Sequence, residues 1–163
     1  MVGAMGNGHC IYRPFLLREV RNADGMVLTE TNPVVTRNLG IDSSVIAVMR
    51  RSMLAVTEAG GTAGRAQVPH VPVGGKTGSA ENPHGEKTHA LFGGCAPFDN
   101  PVIAVAVVAE NAGHGGSIAA PVAGALLRYY FANTTEGKRI TQVYREEEAA
   151  IKKSVALKNS INE

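Results

Sequence analysis

Tryptophan is absent from this 163-residue chain, and tyrosine and phenylalanine number only four each. Cysteine appears twice, at Cys10 and Cys95, too few for a disulfide scaffold. Both cysteines sit in apolar or glycine-rich surroundings, so buried free thiols are the expected state. No apolar run approaches the roughly 20 residues that cross a bilayer; the longest is Val102 to Ala109. Met1-Val2-Gly3-Ala4 lacks the basic start and apolar core of a signal peptide. A net charge of +2 and the lack of a basic run paired with aromatics give no reason to invoke nucleic acid. The five histidines, His9, His70, His84, His89 and His114, match no zinc signature, and no metal or other cofactor is expected. What is present is ordinary for a folded protein: 44% hydrophobic residues in a chain the size of one domain.

The most informative stretch is Val73-Gly74-Gly75-Lys76-Thr77-Gly78-Ser79-Ala80-Glu81, approached through Val68-Pro69-His70-Val71-Pro72. Glycines let another backbone come close. A strand edge leaves N–H and C=O groups free to pair with an extended peptide. Lys76, Thr77 and Ser79 add one cation and two hydroxyls, groups suited to holding a carboxylate. Gly75-Lys76-Thr77 also ends like a phosphate-binding loop, G-x-x-x-x-G-K-[ST] followed by a helix. The first glycine of that pattern falls on His70, and Pro83 and Gly85 oppose a helix after Thr77. A glycine-rich turn with an exposed lysine is the plainer alternative.

Around this stretch the chain alternates between turn signals and apolar segments. Met1 to Gly8 reads as the last turns of a helix stopped by Gly6 and Gly8. Phe15 to Arg21 and Met26 to Thr29 flank Asn22-Ala23-Asp24-Gly25 as a hairpin, and Val34 to Arg37 adds a short strand. Arg18, Glu19, Arg21 and Glu30 read as a solvated face. Asp42-Ser43-Ser44 offers capping oxygens for a helix whose apolar stripe is Ile46, Met49, Met53 and Val56, ended by Gly60 and Gly61. Asn82 to Thr88 is a polar connection. His89 to Cys95 and Val102 to Glu110 are strands joined by Pro97-Phe98-Asp99-Asn100-Pro101. The second is apolar nearly throughout, which predicts cover on both faces. Ser117 is placed to cap a helix from Ala120-Pro121 to Phe131. Residues 133–163 lack proline, are rich in Glu, Lys and Arg, and carry a thin stripe of Ile140, Val143, Ala150, Ile151 and Val155. That tail is expected to be a marginal surface helix or partly disordered.

Lys76-Thr77-Gly78 resembles the K-T-G motif of penicillin-binding proteins and serine β-lactamases. The resemblance extends along the chain in order. It includes Ala4-Met5-Gly6-Asn7-Gly8 with Arg13-Pro14-Phe15, Gly60-Gly61-Thr62-Ala63, Ala90-Leu91-Phe92-Gly93-Gly94, the Val102 to Val108 strand and Ala120-Pro121. The spelling Lys-Thr-Gly-Ser-Ala-Glu is similar to that of class B, elongation-type transpeptidases. The resemblance implies an α+β partial fold: a three-stranded antiparallel sheet, made of the K-T-G strand and the last two strands, with a C-terminal helix packed on it. Residues 1–132 would be the C-terminal portion of the transpeptidase domain and 133–163 a polar tail.

It also implies a serine acyltransferase that cross-links peptidoglycan stem peptides ending in D-Ala-D-Ala and is acylated by β-lactams. Lys76, Thr77, Gly78 and Ser79 would bind the substrate, Lys76 and Ser79 would serve catalysis, and the Ser79 N–H would form half of the oxyanion hole. The five histidines, His84 and His89 near the motif included, are read as surface or strand-end packing. The nucleophile is the departure. No serine is followed by lysine three residues on, and the one S-x-N, Ser160-Ile161-Asn162, stands on the wrong side of the motif. Thr135-Glu136-Gly137-Lys138 is equally misplaced. Met1 therefore reads as an interior point of a longer chain. The first strands, helical subdomain, S-x-x-K and membrane anchor would lie on the remainder of the same protein or on a companion chain. Expected surroundings are the periplasm or outer face of the cytoplasmic membrane and a cell-wall synthesis complex. A non-catalytic binding module, a D,D-carboxypeptidase or a serine β-lactamase are the alternatives.

Overall fold

The computed structural model describes residues 2–8, 10–84 and 87–161. His9 and, in the polar connection, Gly85 and Glu86 lie outside the described residues, as does Asn162 of the tail's S-x-N. The chain begins with a short helix α1 (Val2–Asn7), followed by strand β1 (Cys10–Tyr12), a hairpin of β2 (Glu19–Arg21) and β3 (Val27–Glu30), and β4 (Val35–Asn38). Helix α2 (Ser43–Thr57) and a single 3-10 turn at Gly64–Ala66 lead into β5 (Gly74–Ala80), β6 (His89–Ala96) and β7 (Ile103–Ala109). Helices α3 (Ala119–Asn133) and α4 (Thr135–Ile161) close the chain.

The three-stranded sheet, ordered β5-β6-β7 and antiparallel throughout, is the centre of the fold. The architecture is the expected α+β arrangement, with the K-T-G strand at one edge and the last two strands beside it. Directly opposed residues share a face. Thr77 pairs with Phe92 and Ser79 with Ala90, and Phe92 and Ala90 are buried with Ala119, Ala120 and Ala123 of α3. Alanine on both sides lets α3 lie close to the sheet. A second cluster continues the same face, where Val71, Val73 and Ala96 meet Leu127 and Phe131 of α3 and Ile140 of α4. The opposite face carries α1 and α2. The backbone at Gly74 comes so near α2 that a β-carbon there would stand 3.5 Å from the Met53 side chain.

Side chains tie these layers together at their polar seams. Asp42 caps α2 by accepting from the Ser44 N–H at 2.8 Å. Arg50 of α2 donates to the Met5 carbonyl at 2.8 Å and to the Gly6 carbonyl, placing a cation on the carbonyl end of α1. Thr57, the buried polar residue at the end of α2, donates to the Val73 carbonyl just before β5. Gln67 in turn donates to the Thr57 carbonyl at 2.7 Å. The helix is thereby locked to the approach to the K-T-G strand.

Several local expectations are corrected. The strand expected over 15–21 is ordered only from Glu19, because β3 offers four residues for pairing and Asn22 already closes the turn, accepting from Met26 N–H at 2.8 Å. β1 was not legible, and it pairs with β4 across a bulge between Ile11 and Tyr12. In α2 only Ile46 of the expected stripe is buried; Met49 is 42% exposed, and Met53 and Val56 are half-buried. β7 alternates between half-buried and exposed residues, with α3 under one face and the exposed Val108 on the other. Ser117 does not cap α3; its hydroxyl donates to the His114 carbonyl at 3.1 Å, and the helix starts at Ala119 with Pro121 in its first turn. Cys95 is buried and free, and burial raises its thiol pKa; Cys10 is only half-buried.

Candidate functional site

β5 has a neighbour on one side only, so its other edge is open along a cleft of about 860 Å³. Strand alternation divides its side chains. Lys76 and Gly78 lie on the α2 face, Thr77 and Ser79 on the α3 face. Lys76 is exposed, and its ammonium donates to the Thr77 carbonyl at 2.6 Å. The Thr77 and Thr62 hydroxyls stand 3.0 Å apart. Ser79 Oγ lies 3.5 Å from the Gly115 N–H nitrogen, which donates to it, and 3.5 Å from His114 Nδ1. The remaining wall includes Arg65 of the 3-10 turn and Gly116. Arg128 of α3 holds that turn by donating to the Gln67 carbonyl at 2.8 Å. Among the described residues, the cleft lining contains lysine, arginine and histidine but no aspartate or glutamate. It is therefore suited to an anion carried on an extended peptide.

The loop after β7 reaches this position because Gly115 and Gly116 carry no side chains at its points of closest approach. A β-carbon on Gly115 would stand 2.2 Å from the Leu91 carbonyl oxygen and 2.5 Å from that of Gly78. On Gly116 it would stand 2.3 Å from the Thr62 carbonyl oxygen. Only glycine allows the loop to press on the β5-β6 backbone and present His114 to Ser79.

The four residues singled out in the sequence, Lys76, Thr77, Gly78 and Ser79, all line the cleft. Gly78 is not wholly open, since a β-carbon there would come within 3.3 Å of the Leu91 side chain. Thr62, Arg65, His114, Gly115 and Gly116 were not foreseen as site residues. Their only sequence signals were the Gly60-Gly61-Thr62-Ala63 turn and the glycines flanking His114. His70 instead pairs with Glu148 at 2.8 Å, and His89 Nδ1 accepts from the Asn111 N–H at 3.1 Å. Among the described residues, no group of three or more His, Cys, Asp or Glu could hold a metal ion.

Comparison with known proteins decides the family. Residues 1–128 match the model of the penicillin binding protein transpeptidase domain. The chain belongs to that family. The relatives it resembles are class B members. It is 28% identical over 130 residues to the peptidoglycan D,D-transpeptidase PbpA of Mycolicibacterium smegmatis, covering 75% of this chain and 26% of the relative. With the peptidoglycan D,D-transpeptidase MrdA of Acinetobacter baumannii it shares 36% identity over 104 residues, 61% of this chain and 16% of that protein. The solved ceftriaxone acyl-enzyme of penicillin-binding protein A from M. tuberculosis superposes with a TM-score of 0.65 at 26% identity, over 77% of this chain and 29% of that one. The chain thus spans about a quarter of the length of PbpA, its M. smegmatis relative. No described helix of this penicillin-binding family member is long and apolar enough to cross a membrane.

Proposed function

We propose that this chain forms the carboxylate clamp and half of the oxyanion hole of a peptidoglycan D,D-transpeptidase, with the nucleophile supplied by polypeptide outside it. The observation that carries the reading is the open edge of β5, where two hydroxyls and a lysine border a cleft whose described lining holds no carboxylate. An extended stem peptide ending in D-Ala-D-Ala would lie along that edge. Thr77 and Ser79 would donate to its terminal carboxylate and Lys76 would supply positive charge. The backbone N–H of Ser79 would meet the carbonyl oxygen as it becomes an oxyanion.

A serine elsewhere would attack the penultimate D-Ala carbonyl carbon. The amide C–N bond breaks, the last D-alanine leaves with a proton on its nitrogen, and an ester to serine remains. An amine of a neighbouring strand then displaces the serine oxygen, which regains its proton. β-Lactams would enter the same cleft with their own carboxylate and acylate the same serine. Cell-wall synthesis places this chemistry outside the cytoplasmic membrane.

Incubation with a fluorescent penicillin tests the proposal. The chain alone should remain unlabelled, because Ser79 and the other serines lack a lysine base three residues on. Together with polypeptide carrying S-x-x-K it should support labelling, and Lys76→Ala should slow that labelling by about 100-fold, the scale of one lost electrostatic contact to a transition state. Covalent labelling of the chain by itself would overturn the reading.

A further inference from the structure

The two hydroxyls of the clamp are not isolated, and what touches them decides where their protons point. A hydroxyl has one proton to donate and two lone pairs with which to accept. For Thr77 and Ser79 to donate to an anion, each must spend no proton on the protein. We infer that Thr62 and His114 are positioning residues, which hold the Thr77 and Ser79 hydroxyls as acceptors on the protein side so that both protons face an anion in the cleft. The inference rests on the carboxylate-clamp reading above.

Thr62 carries the stronger half. Its Oγ1 is 3.0 Å from that of Thr77, within good hydrogen-bonding distance, and either can donate. With no anion present the pair is symmetric. Once a carboxylate accepts from Thr77, only one arrangement satisfies every group: Thr62 donates to Thr77, and Thr77 donates to the carboxylate. Chained donors polarise one another, so the outer bond is stronger than a lone threonine would make. Thr62 acts from the turn that ends at Ala63, whose own N–H is fixed on the Val56 carbonyl at 2.8 Å.

Ser79 is held by two neighbours. The Gly115 N–H is an obligatory donor, so at that contact Ser79 Oγ accepts. His114 decides the other lone pair. With Nδ1 protonated, the ring also donates to Oγ and the serine proton is left for the ligand. With Nδ1 bare, the serine proton is drawn to the ring. Both contacts are 3.5 Å, the outer limit for a hydrogen bond, so His114 exerts a weaker hold than Thr62.

The test compares binding of an N-acylated D-alanyl-D-alanine acid with its C-terminal amide, followed by chemical-shift titration of the 163-residue chain. Thr62 is exposed, so Thr62→Val changes a hydroxyl for a methyl without disturbing the core. The acid should bind Thr62→Val about fivefold more weakly than wild type, with the amide unchanged and Thr62→Ser restoring the preference. His114→Ala should reduce the acid preference about twofold. If Thr62→Val keeps the wild-type preference while Thr77→Val loses it, the clamp stands and the positioning role falls. Equal weakening of acid and amide would assign Thr62 a merely structural role and also overturn the inference. If wild type itself fails to prefer the acid, the clamp reading falls, and this inference with it.

Discussion

At the scale of single residues, the cleft depends as much on missing side chains as on present ones. Gly115 shows this most sharply, because any β-carbon there would collide with backbone oxygens of both β5 and β6, which have little freedom to yield. Gly115→Ala should therefore lift the loop after β7, cost about 1–3 kcal/mol as an overpacking change, and separate His114 from Ser79. Urea denaturation would read the stability, and loss of the acid-over-amide preference would read the separation. Lys76 to Ser79 were legible in the sequence because the motif is contiguous, and adjacent residues of a strand stay together whatever the rest does. Thr62 and His114 were not, since they meet β5 from 15 and 35 residues away. A glycine-rich loop announces room for close approach but not which backbone it will approach.

Elements reveal a different balance, with α4 as the clearest case. The polar composition of 133–163 suggested a marginal helix, yet α4 runs from Thr135 to Ile161, about 40 Å at the usual rise per residue. Its first half is anchored by three contacts. Ile140 is buried under α3 and the Val68–Val73 segment, Tyr144 donates its hydroxyl to Asp99 beside β6, and Glu148 joins His70. None is local, so none could be read from periodicity. Burial and the Asp99 contact raise the Tyr144 pKa, which keeps the phenol in its donating form. Tyr144→Phe should weaken docking by about 1 kcal/mol, seen as faster amide exchange confined to α4. Glu148 adds a pH dependence. Its hydrogen bond from Lys152, and next that with His70, hold its carboxyl at about 2 against an ordinary 4.5. A depressed acid contributes stability above its unfolded value and loses it on the way down. Protection factors in α4, taken against the intrinsic exchange rate at each pH, should thus fall as pH drops from about 4.5 toward 2, and Glu148→Gln should flatten that profile. The strands carry the complementary lesson. β7 looked doubly covered because alanine and valine suit either environment, but on the face away from α3, which α1 meets, Ala104, Ala106 and Val108 stay exposed.

Taken whole, the molecule divides into a packed sheet with its helices and a hairpin that contributes little to the core. β2 and β3 are exposed along their full lengths and pair chiefly with each other. Leu16, Leu17, Met26 and Leu28 are all exposed there. Such a surface favours association. Leu16→Lys with Leu28→Lys should lower the sedimentation coefficient at high concentration while leaving the melting temperature nearly unchanged; an unaltered association would exonerate the hairpin. The order of the main sheet and the helix behind it were legible from turn signals and the resemblance together, whereas the exposure of the hairpin was not, because alternating apolar residues look alike whether or not a partner covers them.

Strand alternation puts the lysine on one side of β5 and the two hydroxyls on the other. On the proposed clamp, a guest threaded along that seam would be held like paper between finger and thumb. In that clamp, an inhibitor that reached only the hydroxyls would be gripped from a single direction and left free to pivot.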